Sequence, residues 1–211
     1  MNLKTINIAG MEKRARAAFV NSLSGFKSAN LIGTRDEQGV TNLAIMSSLT
    51  HLGSHPPLFS LVIRPGGDER HTLKNILATG FFTVNHVTAE IIEQAHQTAA
   101  RYAAGESEFD ATGLNPVWQE GFLAPMVQEA NVRLGLKLRQ HMRLEVNDTH
   151  LVIGEVVLAC VPEIACRADS SLDLGAAGSV ALSGLDTYHT GGEEKRMAYA
   201  KPDLPPRQID E

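Results

Sequence analysis

The chain has 211 residues, of which 43% are hydrophobic and 20% charged, an ordinary composition for a soluble globular protein long enough to bury a proper core. A net charge of -5 argues against nucleic acid or an anionic membrane surface held by bulk electrostatics. The two cysteines, Cys160 and Cys166, form neither a C-x-x-C pair nor a metal-ligand spacing, so a reducing compartment is the natural expectation.

Residues 11–23, MEKRARAAFVNSL, are rich in helix formers and close near Gly25, which predicts an opening helix. ANLIGTR and VTNLAIMS flank DEQG and predict a hairpin. In HPPLFSLVIR the Pro-Pro pair opens a mostly buried strand that ends at Arg64. TLKNILAT predicts a short helix closed by Gly80, and FFTVNHV a strand. Residues 88–103 repeat apolar side chains at helical spacing behind Thr88 as cap, while GESEFDATGLNP and GFLAP read as loops. From 132 to 146 alternation is strict: Val132, Leu134, Leu136, Leu138, Met142, Leu144 and Val146 share one face. That pattern predicts a half-buried antiparallel strand or a bent pair. NDT then turns the chain into HLVIGEVVLACV, and the residues from about 202 onward read as a loose tail. No linker or repeat interrupts the chain, so a single domain over 1–211 is expected. About six short strands with hairpin turns predict a closed or nearly closed antiparallel barrel, mainly β with peripheral helices, and the absence of alternating βαβ units speaks against a Rossmann sheet.

The opening stretch lacks the apolar run of a signal peptide. The longest apolar run is broken by Glu155 and falls short of the ~20 residues that span a bilayer. A cytoplasmic location is therefore expected.

Common motifs are missing: there is no phosphate-binding G-x-x-x-x-G-K loop, no G-x-G-x-x-G and no G-x-S-x-G elbow. In HLGSH, His51 and His55 stand four apart, but the following prolines prevent a helix, so two loop histidines are a better reading than a metal pair. Basic residues between 133 and 143 read as a solvated or subunit-facing strand surface rather than a nucleic-acid patch.

Two stretches carry chemistry. RPGGDERHTLKNI leads from a strand end at Arg64, through Gly66 and Gly67, into a helix beginning near His71 and Thr72. A helix start attracts anions through its unpaired amides and dipole. Thr72 can cap the helix or hold a phosphate, and Arg70 and Lys74 supply charge, provided Asp68 and Glu69 point away. By itself this is a capped helix after a surface loop. TNLAIMSSLT passes from strand alternation into Ser47, Ser48 and Thr50, which either bind the polar edge of a planar ring or merely end a strand.

In this order, the stretches from NLIGTRDEQGVTNLAIMSSLT through RHTLKNILATGFFTVNHV, SEFDATGL and VIGEVV to GLDTYH and YAKP resemble the flavin reductase-like family of FMN-binding split barrels, over roughly residues 20–202. The resemblance implies a Greek-key split β-barrel, a homodimer, and FMN (or FAD in its place) near the dimer interface. It places Ala44, Ile45, Met46, Ser47 and Ser48 along the isoalloxazine, with backbone and hydroxyl donors toward its O4/N5 edge. Arg64, Arg70, His71 and Thr72 would hold the phosphate. Many members carry Lys-Asp-Thr where this chain has Arg-His-Thr, so charge and threonine are kept while one ligand type changes. The implied activity is an NAD(P)H-dependent flavin reductase, with NAD(P)H as transient hydride donor and a partner oxygenase as consumer of reduced flavin. The alternatives are a flavoredoxin-like electron-transfer protein and a barrel whose flavin site has decayed. No side-chain acid or base is expected, since the cofactor carries the chemistry. Asn75 and Asn85 are expected to bond backbone. Tyr188 and His189, between glycines, form either a mobile cover or a loop anchor at the subunit interface.

Overall fold

The computed structural model describes residues 1–66, 71–103 and 105–209. After helix α1 (Lys13–Leu23), capped by Glu12 through the amides of Arg14 and Ala15, come β1 (Lys27–Ser28), β2 (Asn30–Arg35), β3 (Thr41–Met46), β4 (Leu49–Ser54) and β5 (Pro57–Ile63). Helix α2 (His71–Thr79) leads into β6 (Phe81–His86), followed by α3 (Ile92–Gln97), α4 (Glu108–Thr112) and the short β7 (Pro116–Val117) and β8 (Met126–Val127). The long strands β9 (Arg133–Leu144) and β10 (Thr149–Cys160) and the short β11 (Ala181–Ser183) and β12 (Thr187–His189) complete the chain.

Seven strands form one antiparallel sheet in the order β3-β2-β6-β9-β10-β5-β4. Its two edge strands, β3 and β4, are separated in sequence only by Ser47 and Ser48. Three Cα steps reach at most about 11 Å, so the sheet must roll until its edges meet. One bond fastens that link: the Ser48 hydroxyl donates to the Val62 carbonyl of β5 at 2.7 Å. The result is the expected split barrel, mainly β with peripheral helices.

Period two on β2 explains how the barrel divides the core. Ile32 points inward to Leu61, Ile63, Phe82, Val84, Leu136 and Val152, where Leu73 and Ile76 of α2 close the end. Leu31 points outward to a second cluster with Leu43, Val87, Phe109, Val127 and Leu182. Both faces are buried, which is why ANLIGTR reads as a nearly continuous apolar run. Gly154 makes room for Phe82: a Cβ there would stand 2.5 Å from the ring edge.

Several expectations need correction. Of the two histidines of HLGSH, His55 lies in a turn as expected, but His51 belongs to β4, an edge strand whose alternation is masked by polar residues. The 88–103 helix shortens to a 3₁₀ turn at Ala89–Ile91 plus α3, because the Thr98 hydroxyl turns back to the Ala95 carbonyl at 2.8 Å. The 132–146 alternation holds only to Leu138. A bulge opposite Ile153–Gly154 shifts the register, and Leu144 and Val146 stand 37% and 90% exposed. SEFDATGL contains α4, and in GLDTYH a turn leads into β12, which pairs with β11. Asn75 bonds a side chain, Thr34, at 3.2 Å, whereas Asn85 does bond backbone, at Leu31 and Val127. The tail folds back: Ala198 donates to the Arg207 carbonyl and Ile209 to that of Arg196. Among the described residues no helix is long and apolar enough to cross a membrane.

Candidate functional site

The seam opens outward into a cleft of about 830 Å³. The size lies within the ~300–1,000 Å³ typical of small-molecule and cofactor sites. One wall is the end of β3 and the link to β4: Ala44, Ile45, Met46, Ser47 and Ser48 all line it, each half-buried. The opposite wall is the end of β5 and the start of α2, with Arg64, His71 and Thr72. The structure thus brings together eight residues singled out in the sequence; the ninth, Arg70, lies outside the described residues.

Each wall has a local cause. β3 is an edge strand, and the amides on its free side need partners. The Leu43 amide donates to Glu108 Oε2 at 2.8 Å and the Ile45 amide to Thr98 Oγ1 at 2.9 Å. These two side chains, from α4 and the end of α3, fix the edge against which the cleft is built. Ser48 differs from its expected role, since its hydroxyl proton is committed to the Val62 carbonyl.

On the other wall, α2 begins at His71, and the first-turn amides of a helix lack intrahelical acceptors. Thr72, 5% exposed, accepts from Asn42 Nδ2 at 3.1 Å. Arg64 is exposed and its Nη2 is steadied by Asn21 Oδ1 of α1 at 2.9 Å. The wall therefore concentrates cationic and hydrogen-bond-donating groups, suited to an anion.

Sequence reading passed over Glu108, Asn42, Thr98 and the 99–103 segment, all of which line the cleft. Glu108 is 7% exposed. Burial pushes its carboxyl above the ordinary glutamate value, while the Leu43 amide and the nearby His71 pull in the other direction. No local pattern marks Glu108, because its partner Leu43 lies 65 residues away. Tyr188 and His189 do not line the cleft. Tyr188 packs on the outer core and meets His96 Nδ1 at 3.1 Å, and His189 meets Ser183 Oγ at 2.8 Å; Leu182 and Leu185 from the same region do reach the cleft. His141 and His150 stack with ring nitrogens 2.9 Å apart on the β9–β10 hairpin, outside the cleft.

Comparison with known proteins bears on the family and the fold. Residues 23–168 match the family described as flavin reductase like domain. A candidate flavin reductase with a split barrel domain from Shewanella frigidimarina NCIMB 400 shares 52% identity, with a TM-score of 0.89 over 95% of this chain and 100% of that one. Nitrilotriacetate monooxygenase component B from Bacillus cereus has the same fold at 23% identity, with a TM-score of 0.81 over 92% and 98% of the two chains. The uncharacterized Bacillus subtilis protein YwrF is 33% identical over 131 residues, a match spanning 60% of this chain and 64% of that relative.

Proposed function

The chain belongs to the flavin reductase like domain family, and from that premise we propose that it binds FMN in the seam cleft and works as an NAD(P)H-dependent flavin reductase. The observation that carries the reading is the convergence, in one cleft, of the strand link 44–48 with Arg64, His71 and Thr72. On this reading Arg64, His71, Thr72 and the first amides of α2 hold the phosphate, with Arg70 as a further cation. Ala44 to Ser48 take the ring, whose polar edge meets backbone donors in the row begun by the outward amides of Leu43 and Ile45 and continued at Ser47. The Ser48 hydroxyl holds the seam shut instead. The Glu108 carboxylate is an acceptor for a hydroxylated linker between ring and phosphate.

When bound, the flavin supplies the redox chemistry, taking a hydride from NADH or NADPH and passing electrons to an acceptor. The protein's part is to orient and to exclude water, and that needs no catalytic dyad. Half-exposed Leu185 on the cleft wall is apolar surface suited to cover by a second copy, which favours a homodimeric functional unit.

Titration of the purified protein with FMN, followed by NADH or NADPH oxidation in the presence of FMN, tests the reading. Quenching of flavin fluorescence and turnover with at least one nucleotide are expected. Quenching without turnover would instead favour an electron-transfer protein, and no quenching would refute flavin binding altogether.

A further inference from the structure

Four buried polar side chains stand behind the anion-facing wall. Asn42 Nδ2 donates to Thr72 Oγ1 at 3.1 Å and to Thr34 Oγ1 at 3.3 Å, and Thr34 Oγ1 also accepts from Asn75 Nδ2 at 3.2 Å. None of the four is more than 6% exposed. The polarity of this network is fixed, because an amide NH₂ has two hydrogens and can only donate. Both hydrogens of Asn42 go to threonine oxygens. Thr72 therefore presents an oxygen with one lone pair already filled and a single O–H that has no acceptor among the described residues. That hydroxyl borders the cleft.

We infer that Asn42 is a positioning residue that fixes the Thr72 hydroxyl as a donor into the cleft and so selects a phosphorylated flavin over its dephosphorylated form. The inference rests on the reading that this wall holds the flavin phosphate. A phosphate oxygen can only accept, so a Thr72 hydroxyl free to turn would often present a lone pair to it. The terminal hydroxyl of riboflavin both donates and accepts, and either orientation of Thr72 satisfies it. Locking the rotor therefore favours FMN while leaving riboflavin nearly unaffected. Asn42 pairs in register with Thr34 on the adjacent strand, so the strand pairing itself places its side chain.

Dissociation constants for FMN and riboflavin, read by fluorescence quenching, test this in the intact protein, in Asn42→Leu, in Thr72→Val and in the double variant. Leucine matches asparagine in shape, adds no charge and removes both donors. Asn42→Leu should lose about tenfold in FMN affinity with riboflavin changed less than about twofold. In the Thr72→Val background the same substitution should leave the FMN-to-riboflavin ratio unchanged. An equal loss for both flavins, or an equal ratio change with and without Thr72, would overturn the inference. Should Asn42→Leu fail to fold, Asn42→Ala supports the same comparison. Thr34→Val, which leaves the Asn42–Thr72 bond in place, should lower the melting temperature but keep the ratio; a ratio shift as large as that of Asn42→Leu would also overturn it. Unmodified protein that binds both flavins equally would refute the phosphate reading itself, a failure told apart before any variant is made.

Discussion

Glu108 offers a test in which charge and hydrogen bonding separate cleanly. It is 7% exposed, and its Oε2 accepts the amide of fully buried Leu43 at 2.8 Å. Glu108→Gln keeps an oxygen for that amide and removes the charge, whereas Glu108→Ala removes both and strands a buried N–H. Leaving such a donor unpaired costs about 1–3 kcal/mol, so Glu108→Ala should be destabilised by that amount. The glutamine variant exchanges a charge-assisted bond for a neutral one, losing about 1 kcal/mol, but no longer buries a carboxylate. It should therefore stay within about 1 kcal/mol of the natural chain at neutral pH. The pH dependence has a definite sign. Because burial raises the native carboxyl above the ordinary value of 4.5, the native state binds this proton more tightly than the unfolded chain does. Its favourable contribution is present in acid and is lost as pH climbs from 4.5 through the elevated native value. Urea unfolding of the flavin-free protein, followed by circular dichroism from about pH 4 to 7, should show the natural chain losing stability relative to Glu108→Gln as pH rises. A difference that stays flat, or grows in favour of glutamate, would show that the Leu43 bond and His71 outweigh burial.

Other perturbations act elsewhere in the molecule. Arg64→Ala should weaken FMN binding by roughly 1 kcal/mol, since the guanidinium is exposed, while sparing riboflavin, and the loss should shrink at high salt; a salt-independent loss would refute a phosphate contact. Gly154→Ala drives a methyl to 2.5 Å from the Phe82 ring and should destabilise by about 1–3 kcal/mol, seen as a lower urea midpoint. His86, half-buried beside Ser179 Oγ at 2.9 Å, has its pKa lowered by desolvation from 6.5 to about 4. Its unfolded form binds the proton more tightly, so about 3 kcal/mol of stability present above pH 6.5 should be lost as pH falls toward 4. Proton resonances of His86 that titrate near 6.5 would refute this.

Much of the fold was legible because its signals are local. The apolar runs of β2, β5, β6 and β10, and the helix start at His71, stand in short windows, and the two chemistry-bearing stretches form the walls of one cleft. What stayed hidden depends on distant partners. Glu108 meets Leu43 across 65 residues and Thr98 meets Ile45 across 53, and no local pattern encodes such pairs. β4 carries polar residues on an edge, where burial writes little alternation. Leu144 and Val146 kept the alternation in sequence while the bulge near Leu138 removed its meaning in space. Ser48 looked like a ligand donor because nothing nearby reveals that it spans a seam.

The strand order also bears on how the protein is made. Every predicted cleft residue has been translated by position 72, yet β2 and β6 share no strand with β5 and β4 until the β9–β10 hairpin stands between them. A nascent chain on the ribosome thus carries both walls of the cleft, joined locally by the β4–β5 pairing, before the β9–β10 hairpin closes the sheet between them. The closed sheet that backs the cleft has to wait until residue 160 has emerged and the hairpin has docked.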